Sequence, residues 1–313
     1  MSFAGDTKKE LTGVMPDRKC CELAEIAGFL RFAGSITFAA GGMGLKVSTD
    51  NPAVARLSLS LIKTYFGVKS ELSVSENPNP SGGKLYELVL GPESNAEAIL
   101  RETGMLGIRE GGNYLTDGID PAITKKRCCK KSALRGIFLA AGSVSDPVKS
   151  YHLEIACARE NTAISVKRLI EAFGLKARTV VRRSRFVVYL KDAEQIGDFL
   201  SLTGATSQYL HFKNVQVTKQ IKNDANRANN CDIANAERTV GAAQRQLAAI
   251  RMIDEAKGIE SLTDRLYETA RMRLAHPELS LSELAELFDP PLKKSGLNHR
   301  FEKIISIAEN IDR

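Results

Sequence analysis

Residues 20–36 are CCELAEIAGFLRFAGSI, and residues 128–144 are CCKKSALRGIFLAAGSV. Each stretch begins with two adjacent cysteines, continues as an apolar, helix-like segment, and ends in Ala-Gly-Ser followed by a β-branched residue. The cysteine pairs lie 108 positions apart, as do the glycines that close the two segments, Gly34 and Gly142. A repeat with one fixed offset indicates that a structural unit has been duplicated within the chain.

The similarity continues beyond these segments. In both copies a strand pair, a second helix, a second strand pair and a closing helix follow in the same order. The predicted fold is therefore α+β, a duplicated αββαββα domain over 20–213 with halves of about 20–124 and 125–213, preceded by an N-terminal extension over 1–19. The expected first turns of the strand pairs are Gly41-Gly42 and Asp146-Pro147, the second helices end at Gly67 and Gly174, and the closing helices end at Gly104 and Gly204.

The two opening helices carry small residues at matching positions, Gly28 with Gly136 and Ala33 with Ala141. Small side chains let a partner helix approach closely, so we expect the opening helices to pack against each other on a pseudo-twofold axis. The alternative is that each helix buries its apolar side in its own half. That explanation is the favoured one for the large side chains Leu30, Phe32, Phe138 and Leu139.

The chain has six cysteines, four of them in the vicinal pairs Cys20-Cys21 and Cys128-Cys129. Adjacent cysteines bridge poorly, and a reducing cytosol keeps thiols free. Structural zinc sites commonly use spacings such as C-x-x-C, which neither pair provides. We therefore interpret the pairs as small helix-packing residues rather than metal ligands, and predict no metal and no cofactor.

With 43% hydrophobic and 26% charged residues, the composition is that of a soluble globular protein. No apolar run approaches membrane-spanning length and the first residues lack a signal-peptide core, so a cytoplasmic location without membrane attachment is expected. The net charge is +7. Its basic clusters indicate phosphate contacts, which we assign in the duplicated domain to Lys130, Lys131, Arg182, Arg183 and Arg185. The alternative is a solvated basic surface.

The composition changes after Lys213. Residues 214–230 are rich in asparagine and are predicted to be a linker, followed by a helical domain over 231–313. Ile233, Ala236, Val240, Ala243, Leu247 and Ile250 form one apolar stripe of a helix that continues until Gly258. A second helix stops before Pro277. Ser280 and Glu283 have the spacing of a capping box, and Ser295 is expected to cap the last helix.

The last two helices have the pattern of a helix-turn-helix, and the outer side of the final one carries short, amide and cationic side chains. Asn298, His299 and Arg300 are the predicted base or near-base contacts, and Ser295 lies beside them. Lys293, Lys294 and Lys303 are predicted to hold phosphates. Charge reversal at Arg300 is expected to abolish specific binding without unfolding the domain. The alternative is a helical pair that never touches DNA.

The segments IAGFLRFAG and LRGIFLAAG resemble the helices of the LAGLIDADG homing endonucleases, in which two αββαββα halves pair and their sheets form a saddle on DNA. That family places a metal-binding acid just before the last glycine. This chain has Ala33 and Ala141 there. Hydrolysis of a phosphodiester by a divalent metal needs carboxylates, so the resemblance implies an inherited fold without catalytic residues. Asp146 has no counterpart in the first copy and is a weak substitute.

The whole chain resembles the WhiA family, through KCCELAEIAGFLRFAGS, RCCKKSALRGIFLAAGSVSDPVKSYHLEI, NCDIANAERTVGAAQRQLAAI and LSLSELAELFDPPLKKSGLNHRFEKI. The resemblance implies a nucleoid-associated regulator that binds double-stranded DNA through its C-terminal domain and acts in sporulation, cell division and chromosome segregation. It also implies, for some members, a Wbl-type iron–sulfur protein as partner. Two alternatives stay open: a protein-interaction scaffold with nonspecific DNA affinity, and a metal-dependent endonuclease with displaced ligands.

Overall fold

The computed structural model describes residues 2–39, 42–68, 70–77, 83–110 and 112–311. The chain divides into two compact units, Met1–Thr218 and Lys219–Arg313. Of the turns expected from the sequence, Asp146-Pro147 lies between two paired strands, whereas Gly41 of the Gly41-Gly42 turn lies outside the described residues. None of the helices in the described part of the chain combines the length and apolar character needed to cross a membrane.

The first unit contains the predicted duplication. Before the repeat, the N-terminal extension forms a helix, α1 (Phe3–Leu11), whose Leu11 is buried in the core. The first copy comprises α2 (Lys19–Ala33), β1 (Gly34–Ala39), β2 (Gly42–Thr49), α3 (Pro52–Phe66), β3 (Glu71–Glu76), β4 (Lys84–Leu90) and α4 (Ala96–Glu102). A hairpin that the sequence did not predict follows it, β5 (Leu106–Arg109) with β6 (Gly112–Leu115).

The second copy repeats the order of the first. It comprises α5 (Arg127–Ala141), β7 (Gly142–Val144), β8 (Leu153–Cys157), α6 (Glu160–Glu171), β9 (Arg178–Arg182), β10 (Arg185–Leu190) and α7 (Ala193–Thr203). Two of the four predicted glycine stops are confirmed as helix caps, whereas α4 ends at Glu102 and α6 at Glu171, before Gly104 and Gly174. Gly67 ends α3 with φ 66°, and Gly204 ends α7 with φ 102°. The fold class is α+β, as predicted.

The two four-stranded sheets have the same topology. Their strand orders are β1-β2-β4-β3 and β7-β8-β10-β9, and every pair is antiparallel. Alternate residues of the central strands β2, β4, β8 and β10 enter the core; Val188 and Leu190 of β10 are buried there with their partners Ile155 and Leu153 on β8. The residues between them form the outer face of the sheet. In the second sheet the outer face consists of Ser143, Glu154, Ala156, Arg178, Val180, Arg182, Arg185, Val187 and Tyr189.

Helices α2 and α5 pack directly against each other, which confirms the predicted pairing of the opening segments. A Cβ atom placed on Gly28 would lie 2.4 Å from the carbonyl oxygen of Ala133, and one on Gly136 would lie 2.1 Å from that of Glu25. Both distances are shorter than any real contact, so only glycine allows the two backbones to come this close. Leu30, Phe138 and Leu139 are buried as expected, and Phe32 is half-buried.

A buried ion pair crosses the same helix interface. The side chains of Glu25 and Arg135 are 1% and 8% exposed. Nε and an Nη of Arg135 donate to Oε2 of Glu25 at 3.0 and 2.5 Å, and the other Nη donates to the carbonyl oxygen of Thr203 at 3.3 Å. Oε1 of Glu25 has no hydrogen-bond partner among the described residues. Removing one member of such a pair lowers the stability of the fold, because the other member is left as an unpaired charge away from water.

Residues 214–230, expected to be a linker, are helical. They lie within α8 (Thr206–Lys257), a helix of 52 residues that contains the boundary between the units. The chain has no glycine or proline between Gly204 and Gly241, so nothing interrupts the helix, and asparagine lowers helix propensity by only a fraction of a kcal/mol per residue. Of the expected apolar stripe, Ala243 and Ile250 are buried and Leu247 is half-buried. Ile233 and Val240 are exposed.

The second unit adds three helices to the end of α8: α9 (Asp264–Ala275), α10 (Leu281–Glu286) and α11 (Lys294–Glu309). Its core is formed by apolar residues of all four helices, among them Ile250, Leu266, Leu284, Leu297 and Phe301. The helix predicted to stop before Pro277 ends at Ala275.

Replacing Gly136 with alanine is expected to lower the free energy of unfolding by about 1–3 kcal/mol, because the added methyl group forces α2 and α5 apart. Urea unfolding of the full chain followed by circular dichroism measures this change. Gly241→Ala is the matched control, since no heavy atom lies within 4 Å of its Cβ position. It should raise stability by about 0.5–1 kcal/mol. Equal effects of the two substitutions would contradict the close helix contact.

Candidate nucleic-acid interface

Helices α10 and α11 are held by local interactions that the sequence predicted in part. Ser280 and Glu283 form the expected capping box, with the Ser280 N–H donating to Glu283 at 2.8 Å and the Glu283 N–H to Ser280 Oγ at 3.3 Å. The turn that follows is closed by a backbone bond of 2.9 Å from Leu292 to Ala285. Leu297, Phe301, Ile304 and Ala308 of α11 are buried, so the opposite side of the helix faces solvent.

The solvent-facing side of α11 carries six of the seven residues that the sequence assigned to DNA. Lys293, Lys294, Ser295, Asn298, His299 and Lys303 are all exposed. Two of them share a neighbouring acid, because Nδ2 of Asn298 donates to Glu302 at 2.8 Å and Nδ1 of His299 lies 3.8 Å from the other oxygen of that carboxylate. The structure therefore brings short polar side chains and lysines together on one accessible surface. We call these six residues the α11 face.

Ser295 does not cap the helix, contrary to the expectation from the sequence. Helix α11 begins at Lys294 and its N-cap is Lys293, which makes no side-chain capping hydrogen bond within the described part of the chain. Ser295 lies inside the first turn, one residue after the start of the helix. The first turn also has no acidic residue. Uncapped amides, the positive end of the helix dipole and two lysines together form a surface that suits phosphate.

Arg300 is the exception among the predicted DNA contacts. Its side chain is 21% exposed and turns toward α9, where Nη1 lies 3.5 Å from Glu268 Oε2 and 3.4 Å from both Thr269 Oγ1 and the carbonyl oxygen of Arg265. The guanidinium also lies over the ring of Phe288 at 5.7 Å. These contacts tie α11 to α9. Charge reversal at Arg300 would place a carboxylate beside Glu268, so the expectation that it leaves the fold intact does not agree with this geometry.

Arg273, which the sequence analysis did not single out, organises the second unit from inside. It is 1% exposed, and its Nε donates to Gln246 Oε1 at 3.0 Å. Its Nη1 donates to the carbonyl oxygens of His276 and Leu279 at 3.2 and 2.6 Å, and the guanidinium lies 5.4 Å from the ring centre of Phe301. Burial lowers the pKa of Arg273. The side chain thus fixes the loop before α10 against α8 and α9. The sequence around Arg273 does not distinguish it from an arginine on the surface.

The predicted phosphate contacts of the first unit fall into two separate places. Arg182 and Arg185 lie on the outer face of the second sheet, and Arg183 is at the tip of the hairpin between β9 and β10. Glu154 is the carboxylate on that face, and it lies 3.5 Å from Arg182 and 3.0 Å from His152. Lys130 and Lys131 instead lie in the first two turns of α5, roughly 16 Å along the helix from Ala141. The two groups of cations are thus on different elements of the first unit.

Ala33 and Ala141 are the last residues of α2 and α5, immediately before the first strand of each copy. The cleft beside Ala141 is lined by Arg31, Asp117, Arg159 and Arg185, among others. Asp117 is the one carboxylate among the described residues that line this cleft, and Arg159 donates to it at 2.5 Å. Asp146 accepts a hydrogen bond of 2.8 Å from the backbone of Val148 and stabilises its own turn. The cleft thus offers cations and an already paired acid.

Known proteins and protein families are similar to this chain over nearly its whole length. Three family profiles match it: the WhiA N-terminal LAGLIDADG-like domain over residues 19–106, the WhiA LAGLIDADG-like domain over 130–222 and the WhiA C-terminal HTH domain over 225–308. The probable cell division protein WhiA of Brevibacillus brevis is 41% identical over 313 residues, covering 99% of this chain and 98% of that protein. The chain belongs to the WhiA family.

Other members agree with this assignment. The probable cell division protein WhiA of Clostridium beijerinckii is 38% identical and covers 99% of both chains. The crystal structure of full-length WhiA from Thermatoga maritima superposes with a TM-score of 0.61 at 26% identity, covering 99% of each chain. The N-terminal LAGLIDADG domain of WhiA, solved separately, matches with a TM-score of 0.51 at 23% identity over 65% of this chain and 90% of that one, which shows a shared fold. The match to the HTH domain extends from within α8 into α11, and the two LAGLIDADG-like matches include the two four-stranded sheets.

Replacing Arg273 with methionine is expected to destabilise the helix-turn-helix unit by about 1–3 kcal/mol, because the oxygens of Gln246 and Leu279 lose their donor in a buried environment. Urea unfolding of the full chain measures the loss. Arg271→Met, an exposed arginine two residues earlier on α9, is the control and should change stability by less than about 0.5 kcal/mol. If Arg273→Met is as stable as the control, Arg273 does not organise this unit.

Proposed function

We propose that this WhiA-family chain is a sequence-specific, DNA-binding regulator of cell division that recognises its site through the α11 face. One observation carries the proposal: six exposed polar or cationic residues lie on one side of α11, whose first turn is uncapped and free of acids. Major-groove recognition requires this combination of base-edge donors and acceptors with phosphate-binding cations. The role in cell division is carried over from relatives named probable cell division proteins.

The proposed function does not include cleavage of DNA. Metal-dependent hydrolysis needs carboxylates that hold the ion and activate water. Alanines stand at the ends of α2 and α5, and Asp117 in the adjoining cleft is engaged by Arg159. Roles in sporulation and chromosome segregation, a cytoplasmic and nucleoid-associated location, and a Wbl-type or other protein partner remain predictions from the family resemblance.

Asn298→Ala and the double variant Lys293→Ala/Lys294→Ala should weaken DNA binding in different ways. Loss of a base contact at Asn298 should cost about 1–3 kcal/mol of discrimination at one base pair and leave nonspecific affinity unchanged. Loss of the two lysines should weaken binding to every sequence and lower the slope of log K against log salt by about 0.9 for each phosphate contact. The site is first selected from genomic fragments with the full-length protein, and affinities are then measured by fluorescence anisotropy.

Lys257→Ala is the control for loss of a lysine elsewhere in the second unit, because Lys257 is exposed in the last turn of α8, outside the α11 face. It should alter neither affinity nor specificity. Wild-type affinity and specificity in both α11 variants would remove DNA recognition from the α11 face. Recognition would then lie elsewhere in the chain, whereas failure of the wild-type protein to select any site from genomic fragments would favour the interaction-scaffold alternative with nonspecific DNA affinity.

We also propose that the outer face of the second sheet contacts the DNA backbone. Arg182→Gln/Arg185→Gln should reduce the salt slope by about 2, since two phosphate contacts are lost. Lys130→Gln/Lys131→Gln removes the same charge from the other end of α5 and should leave the slope unchanged. An equal reduction for both pairs would indicate diffuse attraction, and no reduction for the arginine pair would mean that the duplicated unit does not touch DNA.

A further inference from the structure

Four cysteines come together at the N-terminal ends of the paired helices. The Sγ atoms of Cys20, Cys21, Cys128 and Cys129 all lie within 4.8 Å of one another. Cys21 and Cys129 are buried, Cys20 and Cys128 are partly buried, and all four are free thiols. Each pair occupies the second and third positions of its helix, α2 beginning at Lys19 and α5 at Arg127.

The cluster is a product of the fold rather than of local spacing. Each vicinal pair alone lacks the spacing of a metal site, which led us to interpret the cysteines as packing residues. Because Gly28 and Gly136 allow α2 and α5 to touch, the first turns of the two helices meet, and each contributes two thiols from matching positions. A complete four-thiol set therefore arises from two half-sets that are 108 residues apart.

The spacing of the sulfur atoms fits one small ion. Tetrahedral zinc binds cysteine sulfur at about 2.3 Å, which puts neighbouring sulfurs roughly 3.8 Å apart. Sulfurs that already lie within 4.8 Å need only small side-chain adjustments to reach that geometry. Four sulfur ligands in a tetrahedron select thiophilic metals over magnesium or calcium.

We propose that Cys20, Cys21, Cys128 and Cys129 bind one Zn²⁺ ion, which cross-links the two halves of the LAGLIDADG-like domain at the start of α2 and α5. The site lies at the opposite end of the helix pair from Ala33 and Ala141, so it is separate from the position of the catalytic metals in nucleases of this fold. With four protein ligands it leaves no open coordination position. Its role is structural.

The surroundings of the cluster favour the charge of a metal thiolate. Four thiolates around Zn²⁺ carry a net charge of −2, and the N-terminal ends of two 15-residue helices, neither of them capped by a side chain, direct their positive dipole ends toward this region. Arg18, Lys19, Lys126 and Arg127 lie at the same helix ends, with Glu22 as the acid in the first turn of α2.

Without metal, the buried members of the cluster are expected to stay protonated. Burial raises the pKa of Cys21 to about 11 and that of Cys129 to about 12, whereas the hydrogen bond from Cys21 lowers the pKa of Cys128. Binding of Zn²⁺ displaces these protons, so uptake of the ion should release acid to the solvent.

The test is a cobalt titration of the full chain, purified under reducing conditions and stripped with a chelator without oxygen. Addition of Co²⁺ should produce the sulfur-to-metal charge-transfer and visible bands of tetrahedral cobalt thiolate, saturating at one equivalent. Zn²⁺ should then abolish the bands. Elemental analysis of protein isolated without chelator should find about one zinc per chain. Absence of cobalt bands in the reduced wild-type chain would overturn the proposal.

Variants assign the ligands. Cys20→Ser/Cys128→Ser changes the two partly buried members and should abolish the bands. Cys231→Ser is the control, because Cys231 is exposed in α8, and it should retain them. Circular dichroism verifies that both variants are folded. Bands that survive in the double variant would place the metal elsewhere. Disulfides joining the four cysteines in freshly isolated protein, together with no cobalt uptake after reduction, would also contradict a zinc site.

Discussion

The contact between the backbones of α2 and α5 is the constraint on which the duplicated unit depends. Each glycine lies against a carbonyl oxygen of the other helix at a distance that no side chain tolerates. The contact gives the first strands of the two sheets equivalent positions, because each strand starts directly at the end of one of these helices. It also brings the four cysteines together at the beginnings of the helices. The contact positions alanines at one end of the helix pair and thiols at the other.

The second unit depends on a different principle. It has a small core, and a buried cation supplements the apolar packing. Arg273 satisfies three oxygens from α8 and the loop before α10, and Arg300 joins α11 to α9 from the edge. Because both arginines are engaged in contacts between helices, the cations of the α11 face are lysines, which lie beside short polar side chains and His299. The unit thus separates the cations that hold the helices in place from those that are free to meet a ligand.

Much of this architecture could be predicted from the sequence, because the opening helices recur at an offset of 108 residues and the apolar periodicity, glycine stops and turn residues that follow recur in the same order. The capping box at Ser280 and the exposure of Asn298 and His299 followed from local pattern in the same way. The features that were missed depend on contacts distant in sequence. Nothing near Arg300 or Arg273 distinguishes an inward from an outward arginine, and the spacing within each cysteine pair gives no sign of the other pair. The helical course of residues 214–230 was missed because composition suggested a linker, although no residue there stops a helix.

The buried pair of Glu25 and Arg135 makes the two halves of the duplicated unit pair specifically with each other, although their folds are nearly the same. With the 108-residue offset, Glu25 corresponds to Ala133 and Arg135 corresponds to Ala27, so each charge stands where the other copy has a methyl group. Two copies of α2 brought together would bury glutamates against alanines, and two copies of α5 would bury unpaired arginines, at a cost of several kcal/mol. A chain that arose by doubling has thereby lost the ability of its halves to pair with themselves: each half is complementary to the other alone, and association of separate chains through these helices is disfavoured.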